Sequence, residues 1–285
     1  MKKTFPRHLA AIAALSVLLT GGIAHAGELP AVSKLNGSAS LSGVYHNQDN
    51  LSEGLDGLLS GSVSVPLTHN FGFQADASLA TTDDDGAAGI GGHLFWRDPA
   101  KGLIGLTTSY VTFPNVSGQY DFDMKRFGAE SEFYLGNITL SFSGGYQNGH
   151  NTDDGSYGTA MGYWYANDNL RLGIGATKNP LSDTDGIIDA EWQPNFAVES
   201  GMTLFAGTTF GRNNLLIAQT GIRFYFSDPK TLKQRNREDD PVIMTDEILS
   251  QVNPTLYANY CAGKVPYVKY TQVTCGATQG YTPPI

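Results

Sequence analysis

Residues 221–229 read Gly-Ile-Arg-Phe-Tyr-Phe-Ser-Asp-Pro, and this stretch decides the class of fold. Its residues alternate in polarity, with Ile222, Phe224 and Phe226 on one face and Arg223 and Tyr225 on the other. A period of two residues predicts an amphipathic β-strand, and Pro229 stops it because proline lacks the backbone donor that a sheet needs. The stretch therefore predicts a strand that closes a sheet, although the chain continues to Ile285.

The N-terminus has the anatomy of a secretory signal peptide. Lys2, Lys3 and Arg7 precede an apolar run at residues 9–23, and Ala24-His25-Ala26 fits a small-x-small cleavage site. A membrane-spanning helix is the less favoured alternative, because the run is only about 15 residues long and contains two glycines. We predict a signal peptide at residues 1–26, a main domain at residues 27–227 and a tail at residues 228–285.

The composition is acidic and rich in glycine. The chain carries 27 Asp and Glu residues against 18 Lys and Arg residues, and its 34 glycines favour a β architecture with tight turns. Binding to nucleic acid needs clustered cations for the phosphates, so we predict no nucleic-acid partner. Both cysteines, Cys261 and Cys275, lie in the tail. In an exported protein a pair of cysteines predicts a disulfide, and two free thiols are the alternative.

The chain from residue 35 to residue 226 contains about twelve segments with the alternation of strands. They are Leu35–His46, Leu59–Leu67, Asn70–Thr81, Ala87–Arg97, Leu103–Thr112, Lys125–Leu135, Ile138–Gln147, Tyr157–Ala166, Leu170–Lys178, Ile187–Gln193, Met202–Phe210 and Leu215–Phe226. Most have the length of about 9–11 residues that a tilted strand needs to cross a bilayer. Alternation alone also fits a soluble β-sandwich, whose apolar faces point inward.

Two further patterns favour a membrane barrel over a sandwich. Tight connections such as Gly136-Asn137 alternate with longer polar links such as Asn148–Ser156, as in an up-and-down outer-membrane barrel. Aromatic residues mark both ends of the apolar faces, as expected at two lipid–water interfaces. The set near the tight turns is Phe71, Phe73, Trp96, Phe133, Tyr165, Trp192, Phe224 and Phe226; the other set is Tyr45, Tyr110, Tyr146, Tyr157 and Phe210.

Residues 27–226 thus resemble a bacterial outer-membrane β-barrel protein of the small, porin-like kind. The Gly-Ile-Arg-Phe-Tyr-Phe stretch is similar to the terminal-strand signal by which such barrels are recognised for assembly. The resemblance implies an all-β, transmembrane, up-and-down antiparallel barrel of about twelve strands in the outer membrane, closed by its last strand. The tail is then predicted to lie in the periplasm. The implied partners are outer-membrane lipid, lipopolysaccharide and the barrel assembly machinery, and we expect a monomer.

The face opposite the lipid carries charges of both signs. The predicted pore-lining residues are Asp76, His93, Arg97, Arg126, Glu130, Glu132, Arg171, Asp189, Glu191 and Arg223. They fit either a wetted pore or a salt-bridged set of side chains that leaves no conduit. The abundance of small residues between them favours the pore. We therefore predict a porin-like channel for passive diffusion of small solutes; the alternative is a non-conducting structural or adhesion barrel.

No pattern in the sequence holds as a catalytic or metal site. Ser and His residues are present, but they show no spacing that predicts a nucleophile and its base, so a barrel lipid hydrolase is the third hypothesis. The Asp-rich segments at residues 83–85, 153–154 and 183–185 lack the spaced ligands and closing Glu of a calcium loop. We predict no enzyme activity, no metal and no cofactor.

Overall fold

The computed structural model describes residues 29–47, 54–81, 86–116, 120–150, 152, 154–180, 184–212, 214–226 and 228–249. These residues form one closed antiparallel barrel in which each strand pairs with its neighbours in sequence. The strands are Asn36–Asn47 (β1), Gly54–Pro66 (β2), Phe71–Thr81 (β3), Gly86–Asp98 (β4), Gly102–Val116 (β5), Tyr120–Leu135 (β6), Ile138–His150 (β7), Gly155–Asn167 (β8), Leu170–Lys178 (β9), Thr184–Trp192 (β10), Met202–Phe210 (β11) and Leu216–Tyr225 (β12). The predicted fold class is confirmed.

The stretch that ends the barrel pairs with the strand that begins it. In the register of β12 with β1, Ile222 lies opposite Leu41 and Tyr225 lies opposite Ser38. Ile222 and Leu41 are both exposed on the outer face, whereas Tyr225 and Ser38 are buried inside. The strict alternation of β12 therefore places one apolar and one polar face on the correct sides of the closed sheet.

Strand bounds follow the sequence pattern closely. β9 and β11 have the bounds that alternation predicts, whereas β5 and β6 extend beyond theirs and include the region around residues 120–124. Since several strands run into the predicted links, the described barrel has shorter connections than expected. Gly136 takes a positive φ of 62° in the two-residue turn between β6 and β7, a conformation that glycine adopts without steric cost.

The barrel has two distinct ends. One end, which we call the turn end, holds the connections that follow β2, β4, β6, β8 and β10, together with the start of β1 and the end of β12. These connections are at residues 67–70, 99–101, 136–137, 168–169 and 193–201. The loop end holds the connections that follow β1, β3, β5, β7, β9 and β11. Both chain ends of the barrel therefore lie at the turn end, as an even number of strands requires.

Two short helical segments follow the barrel within residues 228–249. Helix α1, Leu232–Glu238, begins at a capping box in which the Thr231 hydroxyl accepts from the Gln234 amide and the Gln234 side chain accepts from the Thr231 amide. Residues 244–249 form a second helical segment. No helix in the described part of the chain is long and apolar enough to span a membrane. The predicted signal peptide and the predicted Cys261–Cys275 disulfide lie outside the described residues.

Candidate functional site: the barrel lumen

The outer surface of the barrel is apolar. Exposed Leu, Ile, Val and Phe side chains point outward from most strands, including Leu41, Ile90, Leu106, Phe127 and Ile174. A closed barrel with this outer face matches a hydrocarbon environment, because every strand edge is paired and the exposed side chains are apolar.

Most of the predicted interface aromatics lie on this outer face at the turn end. Phe71, Phe73, Phe133, Trp192, Phe224 and Phe226 are exposed there, and Trp96 is partly exposed. At the loop end, Tyr110, Tyr146 and Phe210 are exposed on the same face.

Tyr165 and Tyr157 do not lie on the outer face, which corrects the sequence prediction. Tyr165 is only 2 % exposed and its hydroxyl accepts a hydrogen bond from Asn236 at 3.2 Å inside the barrel. Trp164, at 53 % exposure, is the outward aromatic instead. β8 carries aromatic residues on both faces, so alternation alone could not decide which of its two faces meets the lipid.

The ten predicted pore-lining residues all project to the inside of the barrel, but the structure divides them into two groups. Asp76, His93, Arg97, Arg126 and Glu191 are buried beneath other groups. Glu130, Glu132, Arg171, Asp189 and Arg223 border a cavity in the lumen. Whether this cavity conducts remains a prediction.

His93 lies between two carboxylates. Its Nε2 is 2.8 Å from Asp76 Oδ2, and its Nδ1 is 3.0 Å from Glu130 Oε1. Both ring nitrogens are therefore engaged, which leaves neither to take a proton from a serine hydroxyl. His93 therefore links two carboxylates of the barrel wall, Asp76 on β3 and Glu130 on β6.

A second cluster surrounds Glu191, which is fully buried. Its carboxylate accepts hydrogen bonds from Thr203 at 2.8 Å and Tyr225 at 3.0 Å, and it lies 3.2 Å from Arg223 Nη1. Arg171 approaches the other carboxylate oxygen to 3.3 Å. Two cations and two hydroxyl donors compensate the burial of one anion, as a buried charge in a barrel interior requires.

Several inner arginines also stack on aromatic rings. The guanidinium of Arg126 lies 4.5 Å from the Tyr157 ring centre, and that of Arg171 lies 4.5 Å from the Tyr163 ring centre. Such cation–π contacts explain why aromatic residues on the inner face of β8 are stable there.

Residues 239–249, which we call the inserted segment, lie within the lumen. Near the turn end, the carbonyl of Asp239 accepts a hydrogen bond of 2.9 Å from Arg97. The next residues contact β2 and β3: Ser64 donates to Asp240 Oδ1 at 2.8 Å, and Gln74 donates to the Pro241 carbonyl at 3.2 Å. The inserted segment therefore follows the inner wall of the first strands.

Further along, the inserted segment reaches both sides of the barrel. Ser78 on β3 donates to Asp246 Oδ1 at 2.9 Å. On the opposite wall, Thr159 of β8 and Thr177 of β9 donate to Glu247 Oε1 at 2.9 Å and 3.1 Å. These contacts anchor the segment across the lumen rather than along one strand.

The inserted segment ends in an apolar cluster at the loop end. Ile248 and Leu249 are buried among side chains from the loop ends of the strands. These partners are Val44, Leu58, Ala87, Val111, Phe113, Met124, Leu215 and Ile217. An apolar patch inside a polar lumen supplies a specific docking position for the end of this segment.

Helix α1 covers the turn end of the barrel. Lys233 bonds Asn137 at 2.9 Å and Asp168 at 3.2 Å, so it reaches two separate turns. Arg237 donates to the Ile138 carbonyl at 2.9 Å. Lys34, before β1, donates at 2.6 Å to Asp228, and this hydrogen bond lowers the pKa of the exposed Asp228 carboxyl.

A cavity of about 250 Å³ remains between the inserted segment and the wall made mainly by β6 to β12. Its lining extends from Tyr165 near the turn end to Thr209 near the loop end, so it follows the length of the barrel. Six carboxyl groups and two guanidinium groups border it. They are Glu130, Glu132, Asp189, Asp240, Asp246 and Glu247, with Arg171 and Arg223.

Sequence reasoning did not predict the residues that the tail contributes to this site. The inner faces of β1 to β3 carry Ser, Gln and Asp side chains, which are equally compatible with water. Only the four acidic residues Asp239, Asp240, Asp246 and Glu247, close together after α1, could have indicated partners among inward hydroxyl groups.

A closed twelve-strand barrel with an apolar outer face, aromatic rims and a charged interior defines a bacterial outer-membrane β-barrel of the porin-like kind. Its strands span the outer membrane, and we expect the turn end to face the periplasm, because such barrels have their short turns on that side.

No protein-family model matches the sequence, and no curated protein matches it significantly. Among solved structures, the KdgM porin in complex with disordered oligogalacturonate is 10% identical with a TM-score of 0.49, and the match covers 66% of this chain and 99% of that one. The COG4313 outer membrane channel from Pseudomonas putida F1 is 12% identical with a TM-score of 0.49, over 71% and 98% of the two chains. Omp33 from Acinetobacter baumannii is 9% identical with a TM-score of 0.44, over 68% and 99%. Because these sequence identities and TM-scores are low, the class of protein is assigned from the apolar outer face and the charged inner face of this barrel.

Proposed function

We propose that this protein is an outer-membrane channel for the passive diffusion of small solutes, with a preference for cations. The observation that supports it is the cavity that follows the barrel from Tyr165 to Thr209 and is bordered by polar and charged groups. A volume of about 250 Å³ is below the roughly 300–1,000 Å³ of pockets that hold drug-sized ligands, so only small solutes fit beside the inserted segment.

The sign of the selectivity follows from the charges at the cavity. Carboxyl groups outnumber guanidinium groups there by six to two, and three of the six belong to the inserted segment. A lumen of excess negative charge raises the local concentration of cations. Since salt shortens the Debye length from about 10 Å at 0.1 M to about 3 Å at 1 M, the preference decreases as salt rises.

Reversal potentials across a salt gradient test this function. The refolded mature chain, from Gly27, is expected to favour cations, and Asp240→Asn with Asp246→Asn is expected to reduce that preference. Asp98→Asn is the matched control, because Asp98 lies at the end of β4 and pairs with Lys101 rather than bordering the cavity. Anion preference in the unmodified chain would contradict the proposed role of these carboxylates.

The alternative is a non-conducting structural or adhesion barrel. One observation favours it: the inserted segment and the buried clusters at His93 and Glu191 together fill much of the lumen. The absence of any conductance, both in the full mature chain and in a chain that ends at Asp228, would establish this alternative.

A further inference from the structure

We infer that the chain passes through its own barrel from the periplasmic end to the outer end, so that residues 250–285 are presented on the cell-surface side. This inference concerns the topology of the tail and holds whether or not the lumen conducts. It differs from the periplasmic placement that the sequence alone predicts, and the experiments below distinguish the two.

The first step is the position of α1. Its contacts with Asn137, Asp168 and the Ile138 carbonyl fix it to turns between β6 and β9, all at the turn end. The chain therefore enters the lumen from the periplasmic side, immediately after Glu238.

The second step is the order of contacts along the inserted segment. Asp239 meets Arg97, which is next to the turn end of β4, and Asp246 meets Ser78, which is closer to the loop end of β3. Ile248 and Leu249 then meet side chains such as Val44 and Val111. Residue number thus increases with distance from the periplasm, and no described contact of the segment runs in the reverse order.

The third step concerns the space in the lumen through which the chain would have to run back to the periplasm. The hydrocarbon core is about 30 Å thick and an extended chain spans at most about 3.6 Å per residue, so a return needs roughly nine residues or more. A second pass would have to share the lumen with the inserted segment, beside which a cavity of about 250 Å³ remains. Since Leu249 already lies at the loop end, the shorter path for the chain leads out of the barrel there.

The consequence is a surface segment held by the barrel rather than by a separate anchor. The segment carries both cysteines of the chain, Cys261 and Cys275, in an oxidising environment outside the cell. The barrel then has a second role, in which it carries its own C-terminus to the surface.

An epitope tag placed after Ile285 tests this topology in intact cells. We expect an antibody to bind the tag without permeabilisation, as it binds a control tag in the loop at residues 82–85, whereas a control tag in the turn at residues 99–101 binds antibody only after permeabilisation. A heat-dependent shift on denaturing gels shows that each tagged chain forms a barrel. Detection of the C-terminal tag only in permeabilised cells would overturn the inference.

A second measurement avoids the tag. The untagged chain contains only two cysteines, so intact cells treated with a membrane-impermeant reductant and then a membrane-impermeant maleimide report on the tail directly. Labelling equal to that of permeabilised cells is expected. Labelling that appears only after permeabilisation would show that residues 250–285 face the periplasm. Conductance measurements are independent of both outcomes, so this inference and the channel function fail separately.

Discussion

Ser78, on the inner face of β3, lies 2.9 Å from Asp246, although 168 residues separate them in sequence. The same hydroxyl lies 2.6 Å from Thr245 Oγ1. These contacts tie the inserted segment to the part of β3 that is closer to the loop end. They also explain why the lumen of this barrel cannot be understood from its strands alone.

Cross-linking tests this relationship. In a chain with Cys261→Ser and Cys275→Ser, the pair Ser78→Cys and Thr245→Cys is expected to form a disulfide, because the two hydroxyl oxygens that the sulfur atoms would replace lie 2.6 Å apart. The control pairs Leu79→Cys with Thr245→Cys, because Leu79 is exposed on the outer face. Equal cross-linking of both pairs, or none in the first, would contradict the inserted position.

The Glu191 cluster is expected to be essential for barrel stability. Glu191→Gln keeps the side-chain size but leaves Arg171 and Arg223 without their buried anion, which costs about 3–5 kcal/mol in free energy of unfolding. Urea unfolding in detergent or lipid measures it. Asp168→Asn is the control, since its contact with Lys233 is exposed and contributes about 1 kcal/mol or less. Similar losses in the two variants would contradict the assigned importance of Glu191.

All three tryptophans lie on the outer face near the turn end, which gives a test of the corrected orientation of β8. Trp96, Trp164 and Trp192 each occur within a few residues of the turn-end terminus of their strand. In liposomes, lipids brominated near the headgroup are expected to quench their fluorescence more strongly than lipids brominated near the chain ends. Trp164→Phe should reduce the quenchable signal. An unchanged signal would place Trp164 in the lumen.

Phe226 is expected to be required for insertion. Its side chain is 66 % exposed at the turn end, immediately after β12. An aromatic residue at the end of the last strand is the feature in which this stretch resembles the assembly signal of outer-membrane barrels. Phe226→Asp should deplete the protein from the outer membrane, because it removes that ring and puts a charge beside lipid. Phe226→Tyr, which keeps an aromatic side chain, should insert normally. Membrane fractionation measures this, and normal insertion of the Asp variant would mean that the signal lies elsewhere.

The sequence predicts the strands well because the outer face selects apolar residues and the inner face polar ones. Along each strand the two kinds therefore alternate with a period of two residues. β9 and β11 have the predicted bounds, since each is bordered by clear turn residues. β8 shows the limit: Tyr163, Trp164 and Tyr165 are aromatic in succession, so the correct face depends on which side offers hydrogen-bond partners such as Asn236. That partner belongs to a distant part of the chain.

The contents of the lumen could not be predicted in this way. Small polar residues on an inner face are compatible with water, solute or another part of the chain, and each satisfies the same donors and acceptors. The placement of residues 239–249 depends on contacts between pairs such as Ser64 and Asp240, which have no periodic signature. The cluster around Ile248 is likewise formed from seven strand positions and Leu215, just before β12, which alternation shows only as scattered inward apolar residues.

Single-channel conductance tests the central claim most directly, by comparing the refolded mature chain with a chain that ends at Asp228. The full chain is expected to give a small conductance through the cavity beside the inserted segment, and the shortened chain a clearly larger one, because the groups that fill the β1 to β5 side of the lumen are gone. Equal conductance in the two chains would show that residues 239–249 do not occupy the lumen. No conductance in the shortened chain would show that the barrel is not a channel.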